Sequence, residues 1–379
     1  RAGTDGHRGA WHHTAISGEG LSQPMSLLPL PPSRVVLVMR AIAVLGLVAA
    51  VLIFTLLIPQ FGNFEQGWQA ALAIPREWLI VIVVGSLFSI LVYPLTAPAA
   101  IPGLGYKAAF LDRQAGFAIA TGVPWAGGAI AVGVQYSVLA TYRVPQRKAA
   151  AAVAADAVWT YLMTFGTPAM ALVLLFGLER RTISSQLEFI ALIAAIAFIV
   201  SVVIIAIVLR SETGARRVGT WAQGIIAWVF RLVHKAPPDV VDSIVGFHES
   251  AAQMVATRWK QLTLTNALAQ FAPFVVLIGA LYGTGAFDTE LTILEAIVAF
   301  SVALLLASVP IAPGGLGTVD AALIGLLVTF GATSAQATAA DIIWRAFAYF
   351  PQMLIGFGAL LYFFWDRRRI SARDPSPVE

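Results

Sequence analysis

The stretch Val309-Pro-Ile-Ala-Pro-Gly-Gly-Leu-Gly317 interrupts a long apolar region, and Ala339-Ala-Asp-Ile-Ile-Trp344 follows in the next apolar segment. A degenerate copy stands earlier: Val123-Pro-Trp-Ala-Gly-Gly128, then Ala154-Ala-Asp-Ala-Val-Trp159. Proline has no N–H and clashes with the preceding turn, and glycine loses the most backbone entropy on ordering, so each stretch breaks a helix. In a hydrophobic chain the break leaves backbone polar groups at membrane depth, where only surrounding protein or a watery cavity can satisfy them. Two matched breaks in two halves of a chain point to a transporter's binding site. Pro124, Gly127 and Gly128 of the early break, and Pro310, Pro313, Gly314, Gly315 and Gly317 of the late one, are therefore candidate lining residues.

The rest of the composition agrees. The chain has 379 residues, 59% hydrophobic and 12% charged, with mean hydropathy +0.81. Soluble domains carry about 25% charged residues. The expected fold is all-α: a polytopic membrane helix bundle with two Pro/Gly-broken, re-entrant hairpins in an inverted repeat. There is no cysteine, which removes disulfides, thiol nucleophiles and thiolate metal sites. The net charge of +4 resides in loops between apolar runs, as expected of cytoplasmic loops, and does not call for nucleic acid as a partner.

Residues 1–33, rich in Gly, His, Ser and Pro, read as a disordered tail upstream of a start at Met25. A single transmembrane domain is expected over 34–366, followed by a basic cytoplasmic tail, 367–379. Roughly 20 apolar residues span a bilayer. Runs of that kind lie at 35–58, 78–95, 150–178, 188–210, 261–283, 291–309 and 338–365. The pieces 108–123, 129–142 and 317–332 are shorter and fit half-helices beside the breaks. With both termini inside, the loop of Arg143, Arg147 and Lys148, the stretch from Arg210 to Lys260 and the tail Arg367 to Arg369 all face the cytoplasm. Arg76, Arg180 and Arg181 fall outside and run against the rule. This topology makes the breaks enter from opposite faces, although an Ala/Gly/Val-rich chain also produces such matches by chance.

Residues 211–260 form the one sizeable segment between spans. Trp221, Ile225, Trp228, Val229 and Leu232 recur at helical spacing with Arg217, Arg231 and Lys235 among the polar positions, which suits an anionic membrane surface. A second helix is expected over 239–258. A connecting hairpin packed under the bundle is the simpler alternative.

Ionisable residues within spans are costly and are functional candidates by default. They are Asp112, Arg113, Asp156, Glu295, Asp320, Asp341 and Arg345. Asp341 and Arg345, four apart on one helix, can pair with each other. Asp320 follows the late break, where a carboxylate also suits a helix N-terminus. Arg345 presents a planar, permanently charged fork suited to a lipid phosphate. The alternatives are plain capping for Asp320 and a helix-locking ion pair for Asp341 and Arg345.

Several chemistries are excluded by inventory. All five histidines (His7, His12, His13, His234 and His248) lie outside the spans, so no intramembrane Ser–His pair or histidine metal site is available. Gly314-Gly-Leu-Gly317 lacks the Lys-Ser/Thr of a phosphate-binding loop. No cofactor or metal is expected. Intramembrane chemistry by carboxylates alone would fall to Asp156 and Asp341, provided they share a cavity.

Pro310-Ile-Ala-Pro-Gly-Gly-Leu-Gly-Thr-Val-Asp320, with the later Arg345, Pro351 and Gly356, resembles the membrane region of the lysylphosphatidylglycerol synthase/flippase family, including its stand-alone YbhN-type members. Members usually carry Glu where Asp320 stands. The resemblance implies a lipid-handling bundle of the cytoplasmic membrane, some members flipping charged phospholipids. Only a short basic tail follows Trp365, so the family's aminoacyl-transferase domain is not expected. The leading expectation is translocation or export of an anionic or glycosylated lipid, with Asp320, Asp341 and Arg345 lining the cavity. The alternative is a non-transporting subunit presenting lipid to an envelope glycosyltransferase or another lipid-modifying enzyme.

Overall fold

Helices alternate with short turns throughout residues 64–123, 127–178, 185–232, 240–308 and 313–373, which the computed structural model describes. The tail 1–33, the span 35–58, Pro124 and Pro310 lie outside them. In chain order the helices are α1 Phe64–Leu72, α2 Arg76–Val92, α3 Thr96–Ala100, α4 Tyr106–Gly122, α5 Gly127–Thr141, α6 Gln146–Leu178, α7 Ser185–Arg210, α8 Glu212–Leu232, α9 Val241–Gly283, α10 Ile293–Ala307, α11 Thr318–Thr329, α12 Ser334–Trp344 and α13 Phe350–Arg373. Among the described residues four helical stretches are long and apolar enough to cross a membrane: Arg76–Ala100, Gln146–Gly177, Met254–Gly283 and Ser334–Asp366. Their outer faces stay apolar, with Ile80, Met170 and Val173 each more than half exposed. That is the surface of a protein solvated by lipid rather than water.

The two halves of the bundle interlock. α4 packs along α13 and α5, α9 runs against α2, α6 and α8, and α10 packs on α11 and α6. The larger apolar core centres on Phe300, Leu277, Leu323 and Leu327. A second forms around Leu139, Trp159 and Leu262.

One expectation is corrected. The helix expected over 239–258 and the span over 261–283 form one helix, α9, because nothing in Arg258-Trp-Lys-Gln261 breaks helical geometry. Arg258 Nη1 also donates to the carbonyls of Pro98 and Ala99 at 3.0 and 2.9 Å, satisfying the end of α3. Residues 211–260 are thus partly the base of a span. The apolar span ends at Asp366, and helix α13 runs on to Arg373.

At one end of the bundle Lys107 Nζ and Tyr142 Oη each donate to Asp366 Oδ2 at 2.8 Å, joining α4, the turn after α5, and α13. The hydrogen bond to Asp366 raises the Lys107 ammonium above its ordinary range. Burial, then the bond to Asp366, pushes the Tyr142 phenol up to about 12.

Where α4 and α13 cross, only glycine fits. A Cβ on Gly356 would stand 2.2 Å from the Gln114 carbonyl oxygen and 2.6 Å from Ala118 Cβ. The first neighbour is backbone, so no rotamer change relieves the overlap. Gly356→Ala is expected to lower stability by about 1–3 kcal/mol, the usual cost of overpacking. A thermal melt of the purified variant checks this, and Gly358→Ala, which meets nothing within 4 Å, is the control.

Candidate functional site

Each break joins a pair of packed helices, α4 to α5 early and α10 to α11 late. Gly127 opens α5 against the last turn of α4, where a Cβ would lie 2.6 and 2.7 Å from the carbonyl oxygens of Ile119 and Ala120. Gly128 instead faces open space. In the late break Gly314 is left-handed (φ 58°, ψ 19°), and its missing Cβ leaves room for Tyr349, whose hydroxyl lies 1.6 Å from where that atom would be.

The two breaks meet at one cavity of about 250 Å³. Phe117, Ala120, Thr121, Val123, Gly127 and Gly128 form its early wall. Gly314, Gly315, Val319, Trp344, Arg345 and Tyr349 form the late wall, and Pro273 of α9 adds a third helix irregularity. Five of the sequence-derived candidates therefore line it: Gly127, Gly128, Gly314, Gly315 and Arg345.

Arg345 is the central charge, with 2% of its surface exposed. Its Nε donates to Asp320 Oδ1 at 2.6 Å and its Nη1 to the Gly314 carbonyl at 3.1 Å. The guanidinium also lies over the rings of Trp344 and Tyr349, 5.0 and 4.8 Å from their centroids. Its Nη2 is buried without a hydrogen-bond partner. Asp320 Oδ2 meanwhile accepts the Gly317 N–H at 2.6 Å, capping α11. Asp320 is therefore both a helix cap and the countercharge of Arg345.

The partner of Arg345 is not the one helical spacing suggests. Gly317 locks Asp320 with one oxygen aimed at Nε, while Asp341 shares a side-chain hydrogen bond with Asp320, acts on Arg345 only through space and keeps Oδ1 without a hydrogen bond. The cavity lining is corrected as well. Asp320 and Asp341 are not on the cavity wall, and Asp320 bears on it through Arg345, which is. Asp156 is not on the wall either. It accepts from Arg113 Nη1 at 2.5 Å, in a separate cluster with Asp112. Asp156 and Asp341 thus belong to different ion clusters, one on Arg113 and one on Arg345. Glu295 is a capping-box residue, exchanging hydrogen bonds with Thr292 at the start of α10.

The backbone around Arg345 departs from α geometry. Arg345–Tyr349 form a π turn, a feature frequent at functional sites, and Pro351 follows. Pro351 cannot donate to the carbonyl four residues back, that of Phe347, and Ser86 Oγ of α2 donates to it instead. The turn keeps Arg345 and Tyr349 on the cavity wall. Tyr349, Phe117 and Ser86 escaped the sequence reading. They are uncharged, and only the late break and the Pro351 signal hinted at special geometry nearby.

Comparison with known proteins follows this architecture. The model of the lysylphosphatidylglycerol synthase TM region matches residues 40–356, spanning both breaks and both ion clusters. The chain belongs to that family. A UPF0104 membrane protein from Methanothermobacter thermautotrophicus is 25% identical over 328 residues, covering 84% of this chain and 94% of the relative. As a member of the lysylphosphatidylglycerol synthase TM-region family, the chain is a multi-pass membrane protein, and its matched region includes the buried arginine site.

Proposed function

We propose that the protein moves an anionic or glycosylated lipid across the cytoplasmic membrane, taking the headgroup into the cavity between the two helix breaks. Termini on the cytoplasmic side and breaks entering from opposite faces in an inverted repeat complete the reading. The observation that carries it is the buried, unpartnered Nη2 of Arg345 at a cavity walled by both breaks. A donor left unsatisfied in a buried site is costly, and a hydrogen bond to a charged partner contributes about 1.5–3 kcal/mol. A headgroup phosphate would supply that partner. The volume, about 250 Å³, lies just below the usual range for small-molecule sites, so it suits a headgroup and leaves the acyl chains in the bilayer.

Gly128 provides a test that spares the fold, because a side chain there enters the cavity without meeting backbone. In liposomes carrying fluorescent phosphatidylglycerol, a fluorescent glycolipid or a fluorescent neutral lipid, the wild type is expected to move the phosphatidylglycerol or the glycolipid. Gly128→Leu is expected to stop that movement while melting at the wild-type temperature. Movement unchanged in Gly128→Leu, or none of the three lipids moved by the wild type, overturns the proposal. The second reading, a subunit presenting lipid to an envelope enzyme, draws on the exposed Trp221 and Trp228 of α8 and on Arg217, which lines a surface pocket with Trp221. It predicts co-purification of a lipid-modifying enzyme that is lost in Trp221→Ala.

A further inference from the structure

The early ion cluster is not used by the headgroup site. Asp112 and Arg113 are only 2% and 4% exposed, in the middle of α4. Asp156 on α6 holds Arg113 Nη1 at 2.5 Å. Asp112 Oδ2 lies 3.6 Å from Arg113 Nε, too far for a hydrogen bond, and its Oδ1 has no partner. One guanidinium therefore faces two carboxylates, and the geometry pairs it with Asp156. A second buried carboxylate with no hydrogen bond would carry an uncompensated charge, which low-dielectric surroundings do not tolerate. Binding a proton removes the charge.

A chain of rings joins this cluster to the cavity. Tyr93 acts on Asp112, Arg113 and Asp156. Its ring meets Phe117 edge-on at 5.9 Å, Phe117 meets Tyr349 at 5.8 Å, and Tyr349 lies under the Arg345 guanidinium. Phe117 sits on the same helix as Asp112, so a shift of α4 moves the cluster and a cavity wall together. Among the described residues the charged and titratable groups acting on Asp112 are Arg113, Asp156 and Tyr93. Asp366 and Tyr142, which reach α4 from α13 and the turn after α5, bind Lys107 instead.

We propose that Asp112, beside the Arg113–Asp156 pair, is a proton-binding site whose loading and release through α4 drive headgroup passage in one direction. The inference rests on the lipid-moving reading of the cavity. The step is a proton transfer only: water on one face protonates the Asp112 carboxylate, and the proton leaves to the other face.

Two measurements separate this proposal from the reading beneath it. Infrared difference spectra of the purified protein, recorded across a pH change, should show a carbonyl stretch of a buried protonated carboxyl that is lost in Asp112→Asn and kept in Asp341→Asn, the other buried carboxyl that shares an arginine with a second carboxylate. Because Asn resembles the neutral acid in shape, the variant should melt no lower than wild type. In liposomes with the membrane potential clamped at zero, a gradient of one pH unit should give a leaflet asymmetry of about tenfold in fluorescent phosphatidylglycerol for one proton per lipid, collapsing to none in Asp112→Asn. A spectrum of Asp112→Asn with no band lost relative to wild type overturns the proton site. Lipid movement with no asymmetry under the gradient overturns the coupling and leaves the cavity reading intact. If the wild type moves no lipid while the band is lost in Asp112→Asn, the cavity reading falls and the coupling with it.

Discussion

Arg345→Ala is expected to cost about 3–5 kcal/mol of stability and to stop lipid movement altogether. Removing one member of a buried pair strands the other, and losses of that order follow. Here Asp320 would lose its countercharge while keeping the Gly317 N–H, and Asp341 would lose the one cation acting on it. The Gly314 carbonyl would also lose its donor. The double variant Asp320→Asn/Arg345→Leu separates stability from function. Deleting the pair as a unit removes the stranded charge of Asp320 and should return part of the lost stability, whereas transport should stay absent because the cavity has lost its donor. Thermal melts and the liposome assay on the same preparations check both. Transport recovering together with stability would show that Arg345 only locks helices.

Gly314→Ala is expected to be nearly as damaging. A left-handed non-glycine residue costs on the order of 1–3 kcal/mol. The new methyl would also lie 1.6 Å from the Tyr349 hydroxyl and 2.5 Å from its Cζ, so the ring must leave the wall. Overpacking of this kind adds about 1–3 kcal/mol. The displaced ring would release the contact with Phe117 and the face beneath Arg345, closing the cavity from the late side. Gly314→Ala combined with Tyr349→Leu should recover part of the stability in a thermal melt, since the clash is gone, but not the backbone contribution. Full recovery would show that the left-handed backbone contributes nothing.

Short-range chemistry is legible in the sequence, and the partners that packing brings together are not. The cap at Asp320 was visible because a carboxylate followed a glycine break at the start of an apolar run, which is short-range chemistry. Glu295 carries an equally readable signal, Thr292 three residues before it, although a charge at the head of an apolar run also marks a functional candidate. The pairing of Arg345 with Asp320, 25 residues away, could not be separated from the helical neighbour Asp341, because both carboxylates suit a guanidinium and spacing favours the wrong one. Arg113 and Asp156 lie 43 residues apart on helices whose packing no local periodicity encodes.

From the sequence alone follow the membrane class, the helix runs and the places where helices must stop. Apolar length and the chemistry of proline and glycine act over a few residues, whatever else the chain does. Only the tertiary structure decided that the two breaks share one cavity, that Arg345 is on its wall while Asp320 and Asp341 are not, and that the early half holds an ion cluster of its own. Those facts depend on which helix faces which. Bare charges in an apolar interior take whatever partner packing brings within hydrogen-bond reach.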